Sequence, residues 1–172
     1  MNKQKICALV VFAVVAILNL NAQEGEALKN RQTSFGAAFI IALSDDMVSV
    51  GPSVQFSQVY SSLFTDFIGL GIHGGLIMPI SEDIGFGVTL IAGPSITIYD
   101  NSQFKIPITL GMHANYVISG NHWIWNIGTG LVTDFVWQFS SRWFGYGRVQ
   151  MACNFGAFEV LITPGLGLGL KR

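Results

Sequence analysis

Charged side chains are scarce in this 172-residue chain: Asp, Glu, Lys and Arg make up 11 % of it, against roughly 25 % in an ordinary soluble domain. With 51 % apolar residues, too few polar side chains remain to cover a water-facing surface. The same composition excludes disorder, because a chain this apolar collapses. Nine basic residues against ten acidic ones leave a net charge of −1, which provides no basic footprint for nucleic acid. Cysteine is nearly absent, with only Cys7 and Cys153. If Cys7 leaves with an N-terminal leader, no intrachain disulfide can form even in an oxidising compartment, and the remaining Cys153 reads as a single buried thiol. His73, His113 and His122 are the only histidines. No Cys or carboxylate stands at metal-ligand spacing from them, so neither a metal nor another cofactor is expected.

What the N-terminus does contain is a leader pattern. Lys3 and Lys5 precede the uncharged apolar run Ile6 to Leu18, and Leu20-Asn21-Ala22 places a small residue where a signal peptidase would cut. Residues 1–22 read as a secretory signal peptide, too short in its apolar part for the roughly 20 residues of a membrane-spanning helix. Residues 23–172 then form one domain.

Within that domain the charges cluster, and long uncharged runs lie between the clusters, from Met47 to Thr65, Ile84 to Tyr99 and Ile106 to Thr133. Their length would suit membrane helices, but their periodicity does not. Val48, Val50, Pro52, Val54 and Phe56 alternate with Ser49, Gly51, Ser53, Gln55 and Ser57, a period of two, which is that of a strand. The same alternation sets Val88, Leu90, Ala92, Pro94 and Ile96 against Thr89, Ile91, Gly93, Ser95 and Thr97. It recurs as Ile108, Leu110, Met112 and Ala114 against Thr109, Gly111, His113 and Asn115, and as Ile162, Pro164, Leu166, Leu168 and Leu170 against Thr163, Gly165, Gly167 and Gly169. The pattern predicts eight strands, near 33–43, 48–57, 67–78, 84–99, 105–118, 123–134, 143–152 and 158–170. Matching like faces across the turns pairs Tyr116 with Trp125, Asn115 with Asn126 and His113 with Gly128. A hairpin centred on Ser81 would set Leu76 beside Phe86 and His73 beside Thr89.

A water-soluble barrel would carry Lys and Glu on its polar face. Here that face is Gly, Ser, Thr, His, Asn and Gln, too small and too weakly charged for a solvent surface but suited to a narrow lumen. The aliphatic face must then meet lipid, where every backbone polar group needs an internal partner and only helices and closed barrels provide one. An all-β fold follows, a single antiparallel up-and-down transmembrane β-barrel of about eight strands. Trp123, Trp125, Trp137, Trp143, Phe144 and Tyr146 gather at the ends of the sixth and seventh strands, as interface aromatics of a headgroup girdle do; a soluble aromatic mini-core is the competing reading. Phe104-Lys105-Ile106-Pro107-Ile108-Thr109-Leu110-Gly111 is similar to a strand of small outer-membrane barrels, and Gly51-Pro52-Ser53 recurs as Gly93-Pro94-Ser95. In its full-length pattern the mature chain resembles the OmpA/OmpX/OmpW-like proteins. That resemblance implies a bacterial outer-membrane location, contact with outer-membrane lipid and with the barrel-insertion machinery, and a monomer with a structural, surface-recognition or narrow-pore role. Two readings from other classes stay open: a soluble periplasmic barrel binding an apolar ligand, and an outer-membrane lipid-modifying enzyme.

Few residues carry a chemical signal. His73, His113 and Asn115 are expected to point into the lumen, as are Arg148 and Glu159, which interrupt apolar stretches on adjacent strands. A charge in a narrow lumen is costly unless paired, so an Arg148–Glu159 ion pair plugging the barrel is expected. Ser140, Ser141 and Asp134 lie near one another in sequence, but no histidine is close, and no catalytic residue is assigned. Gly165, Gly167 and Gly169 lack the strand-turn-helix context of a nucleotide loop. Glycines on the lumen face should leave space that water could fill.

Overall fold

The computed structural model describes residues 31–43, 48–61, 63–65, 67–78, 86–119, 122–155 and 160–171. The expected signal peptide, residues 1–22, lies outside them. Eight strands follow one another: β1 (Arg31–Leu43), β2 (Val48–Tyr60), β3 (Ile68–Ile77), β4 (Gly87–Asp100), β5 (Phe104–Ser119), β6 (His122–Gln138), β7 (Trp143–Asn154) and β8 (Val160–Lys171). Each pairs antiparallel with the next, and β8 closes on β1 in a single barrel.

The pairing fixes the dimensions of the barrel. A circuit through hydrogen-bonded partners runs Thr33, Gln58, Ile72, Ala92, Met112, Thr129, Cys153, Val160 and returns to β1 at Leu43, ten residues beyond its start. Ten residues at about 3.3 Å each slide about 33 Å against a girth of eight strands at about 4.8 Å, which tilts the strands by about 41° and sets a backbone radius of about 8 Å. Such an interior is just wide enough for side chains to fill.

The barrel is apolar outside and polar inside. Phe39, Val50, Leu110, Leu131, Leu166 and Leu168 are exposed on the outer face, while Ser53, Gln55, Thr89, Thr109, Gln150 and Thr163 are buried on the inner one. Outward and inward residues alternate along β2, β4, β5 and β8 as the sequence pattern predicts.

Two details differ from expectation. The β3–β4 hairpin pairs Leu76 with Val88 and His73 with Ile91, two residues from the register centred on Ser81. A slip of two leaves every face unchanged, so alternation cannot detect it. The β5–β6 pairs Tyr116–Trp125, Asn115–Asn126 and His113–Gly128 are those expected. Further along, β6 does not stop at Asp134 but continues to Gln138, because Asp134 is an inward strand residue and not part of a turn.

Four strand prolines coincide with interruptions of the ladder. Pro52 lies just past the last β2–β3 pair, Ser53–Ile77, and its carbonyl accepts from the Met78 N–H at 3.0 Å. Pro94 falls where β4–β5 pairing skips from Ala92–Met112 to Ser95–Thr109, and Pro107 where β5–β6 pairing skips from Lys105–Val136 to Ile108–Thr133. Pro164 falls where β1–β8 pairing skips from Ala38–Gly165 to Ile41–Ile162. A residue without an N–H is tolerated where no ladder bond is required of it.

Candidate functional site

The inner wall forms the one extended polar arrangement among the described residues. Asp134 on β6 and Arg148 on β7 are direct cross-strand partners, both buried. Arg148 Nε donates to Asp134 Oδ1 at 2.6 Å and Nη2 donates to Oδ2 at 2.9 Å, a fork-to-carboxylate geometry that makes a strong, directional ion pair. On the opposite wall Ser34 and Ser57 are partners in the β1–β2 ladder, with hydroxyl oxygens 2.7 Å apart. Arg148 Nη2 donates to Ser57 Oγ at 2.7 Å, so one bond spans the lumen from β7 to β2. Beneath the guanidinium lies the Tyr146 ring, with its centroid 4.8 Å from the guanidinium carbon, within range of a cation–π contact.

Further polar pairs line the wall. The His73 Nε2 and Thr109 Oγ1 atoms are 2.9 Å apart. His113 Nδ1 lies 3.1 Å from Asn154 Oδ1, and Gln150 Nε2 donates to Thr89 Oγ1 at 3.4 Å. Two apolar clusters share the interior: Val136, Phe144 and Tyr146 towards the end that holds the start of β1 and the end of β8, and Ile40, Ile77, Ile91, Val132, Ala152 and Leu161 towards the other end. Side chains also occupy the space beside lumen glycines. A Cβ at Gly130 would overlap Ile91, one at Gly169 the Phe144 ring, and one at Gly36 the Tyr146 hydroxyl. The space expected from missing side chains is therefore filled at these positions.

His73, His113, Asn115 and Arg148 are all buried on the inner wall. Glu159, the expected partner of Arg148, lies outside the described residues, and the carboxylate that Arg148 engages is Asp134. Its lumen position was legible in sequence, since Asp134 shares the parity of Gly128, Gly130, Val132 and Val136; its charge, resembling that of a turn residue, hid it. Ser34, Ser57 and Thr109 carried no signal beyond their inward parity. Ser140 Oγ accepts from the N–H groups of Arg142 and Trp143 in the turn after β6, while Asp134 is held by Arg148, so the two do not form a shared site.

The aromatic residues divide between two ends of the barrel. Trp137 and Trp143 are exposed at the end near the termini of the barrel, and Trp125 is exposed at the other, its ring centroid 4.6 Å from that of Tyr116. Trp123 is on β6 beside Trp125, with its side chain outside the described atoms. Trp125 and Trp137 are 12 residues apart on β6, about 40 Å along the strand and about 30 Å along the barrel axis at this tilt. An apolar belt of a transmembrane barrel is about 25 Å tall and flanked by aromatics at both ends. Tyr146 is no interface aromatic: it is 1 % exposed, inside the lumen under Arg148, and Phe144 is buried beside it. The inward parity they share with Arg148 on β7 puts them there. Cys153 is likewise not a buried thiol but exposed on the outer face. Among the described residues no three His, Cys, Asp or Glu side chains converge as metal ligands.

Solved structures share this architecture. The chain superposes on Neisserial surface protein A with a TM-score of 0.64 at 13 % identity, covering 83 % of this chain and 97 % of that one. For the attachment invasion locus protein Ail of Yersinia pestis the TM-score is 0.58 at 13 % identity, with 84 % and 99 % covered. For the N-terminal β-barrel domain of Pseudomonas aeruginosa OprF it is 0.56 at 12 % identity, with 81 % and 97 % covered. No family model matches the chain, and no curated protein matches it in sequence. The fold is thus the closed eight-stranded antiparallel barrel seen in these small membrane proteins.

Proposed function

We propose that this chain is an integral outer-membrane β-barrel with a shut lumen and a non-catalytic, structural or surface-recognition role. The observation that carries the reading is its inverted polarity: an apolar outer face between two sets of exposed aromatics, around an interior holding a buried Arg–Asp pair. Water would make that outer face a large aggregation surface, whereas a bilayer solvates it. The bond from Arg148 to Ser57 across the lumen, with Tyr146 beneath the guanidinium and Phe144 and Ile91 filling the space beside Gly169 and Gly130, favours a closed interior over an open pore. The three solved barrels of like fold support the location. Export through cleavage after Ala22 and insertion by the barrel-insertion machinery belong to the same reading, as does a monomeric state.

Fractionation and recording test it together. The protein is expected in the outer-membrane fraction, resistant to carbonate extraction, with Gln23 as its first residue by N-terminal sequencing; recovery in the soluble periplasm without detergent would overturn the membrane reading. In planar bilayers the wild type should carry no steady current, and Asp134→Ser with Arg148→Ser should admit small ion currents. Large, stable channels in the wild type would defeat the shut lumen.

A further inference from the structure

We infer that the segment 23–30, which leads into β1, docks on the outer wall of β2 and β3 beside Arg31 and sets Glu24 or Glu26 against the Arg31 guanidinium. The wall there breaks the rule of the barrel's outer face. Arg31 has the outward parity of Phe35 and Phe39 on β1, and Gln58 and Tyr60 have that of Val50 and Val54 on β2. Phe35 is 54 % exposed, yet Arg31 is 5 %, Gln58 3 % and Tyr60 9 % exposed. These three residues form one polar patch, because Arg31 is the direct ladder partner of Tyr60 and the Tyr60 hydroxyl donates to Gln58 Oε1 at 2.8 Å. On β3, Leu70 pairs with Tyr60 and Ile72 with Gln58, and both are partly buried, whereas Leu166 and Leu168 on the outer face of β8 are exposed.

A charge withdrawn from water is costly unless an opposite charge meets it, and no described residue gives the Arg31 guanidinium a hydrogen bond or an ion pair. The β2–β3 turn does not lie over the patch, since Phe64, Thr65 and Phe67 are themselves exposed. The segment Gln23-Glu24-Gly25-Glu26-Ala27-Leu28-Lys29-Asn30 answers both needs. It brings two carboxylates for the arginine, and Ala27 and Leu28 for the apolar wall of Leu70 and Ile72. It runs directly into Arg31, so docking is intramolecular and its effective concentration at the patch is high. Leu70 stands two strands from β1, about 10 Å away at about 4.8 Å per strand, and the four residues from Arg31 back to Ala27 span up to about 13 Å. The reach suffices.

Cysteine crosslinking in the detergent-folded protein tests it, with Cys153→Ser removing the exposed thiol. Ala27→Cys is paired with Leu70→Cys on β3 or, as a control, with Leu168→Cys on β8, the strand on the other side of β1 and nearer to it. Within one chain, Ala27→Cys should crosslink to Leu70→Cys several-fold more than to Leu168→Cys, and high salt should narrow the difference, as it weakens an ion pair. Glu24→Gln with Glu26→Gln should remove the preference, as should Arg31→Gln, while Asp66→Asn in the β2–β3 turn should leave it intact. Equal crosslinking at the two sites, a preference that survives the Glu24→Gln, Glu26→Gln change, or a preference lost in Asp66→Asn overturns the inference. A crosslink that joins two copies of the chain gives the wall to a dimer and overturns it too. If Arg31→Gln does not fold, the two glutamate substitutions, which lie outside the barrel, decide. A first residue other than Gln23 would refute the cleavage proposed above and leave this comparison as decisive as before.

Discussion

Arg148 is held by three donor contacts and a ring while almost fully buried: Asp134 takes two bonds, Ser57 one, and Tyr146 lies beneath. Removing one member of a buried pair leaves the other uncompensated, at a cost of about 3–5 kcal/mol. Asp134→Ala should therefore lower the unfolding free energy by that order in urea titrations of the detergent-folded protein. Asp134→Ala combined with Arg148→Met should recover most of the loss, since no charge is then stranded. Packing makes a second residue-scale case. Ile91 Cδ1 occupies the place of a Gly130 side chain, so Gly130→Ala should destabilise by about 1–3 kcal/mol through overpacking. Ile91→Val in the same chain should relieve part of it, and a double-mutant cycle would measure the coupling. Sequence parity reveals that Arg148 faces inwards, because side chains alternate along a regular strand, whereas the charge of Asp134 made it look like a turn residue. Which acid meets the arginine depends on cross-strand register, which no single strand encodes.

At the scale of the strand, alternation is the strongest signal in the chain because an apolar outer face and a narrow lumen each demand one class of side chain at every second position. It identified eight strands and both faces. It could not resolve the β3–β4 slip of two, nor distinguish an inward carboxylate from one in a turn. The faces lead to a prediction on Arg substitutions. Leu110 is 61 % exposed on the outer face, so Leu110→Arg should cost roughly 2–4 kcal/mol if it lies near the bilayer midplane, while Ser102→Arg in the β4–β5 turn should be tolerated. Equal folding yields in vesicles would contradict the assignment. The prolines yield another. Ile162 is paired in both of its ladders, with Ile41 and with Met151, whereas Pro164 stands at a ladder break on its β1 side. Ile162→Pro should block folding, and Pro164→Ala should be nearly neutral, both read from the shift in gel mobility between heated and unheated samples.

For the whole molecule, closure through β1 and β8 makes every strand an interior strand. The β1–β8 ladder joins Gln32 to Lys171 and Leu43 to Val160, which puts the first described strand residues beside the last. Topologically the barrel is a ring, and the point where the polypeptide is opened is a matter of convention. A permuted chain in which a short linker joins position 171 to position 31, with new ends within the turn at 101–103, should form the same barrel with the same Arg148–Asp134 contact. Circular dichroism and the gel-mobility shift of such a permutant would show it, and a chain that stays unfolded in detergent would mean that the native order of strand synthesis, and not only the final pairing, directs assembly.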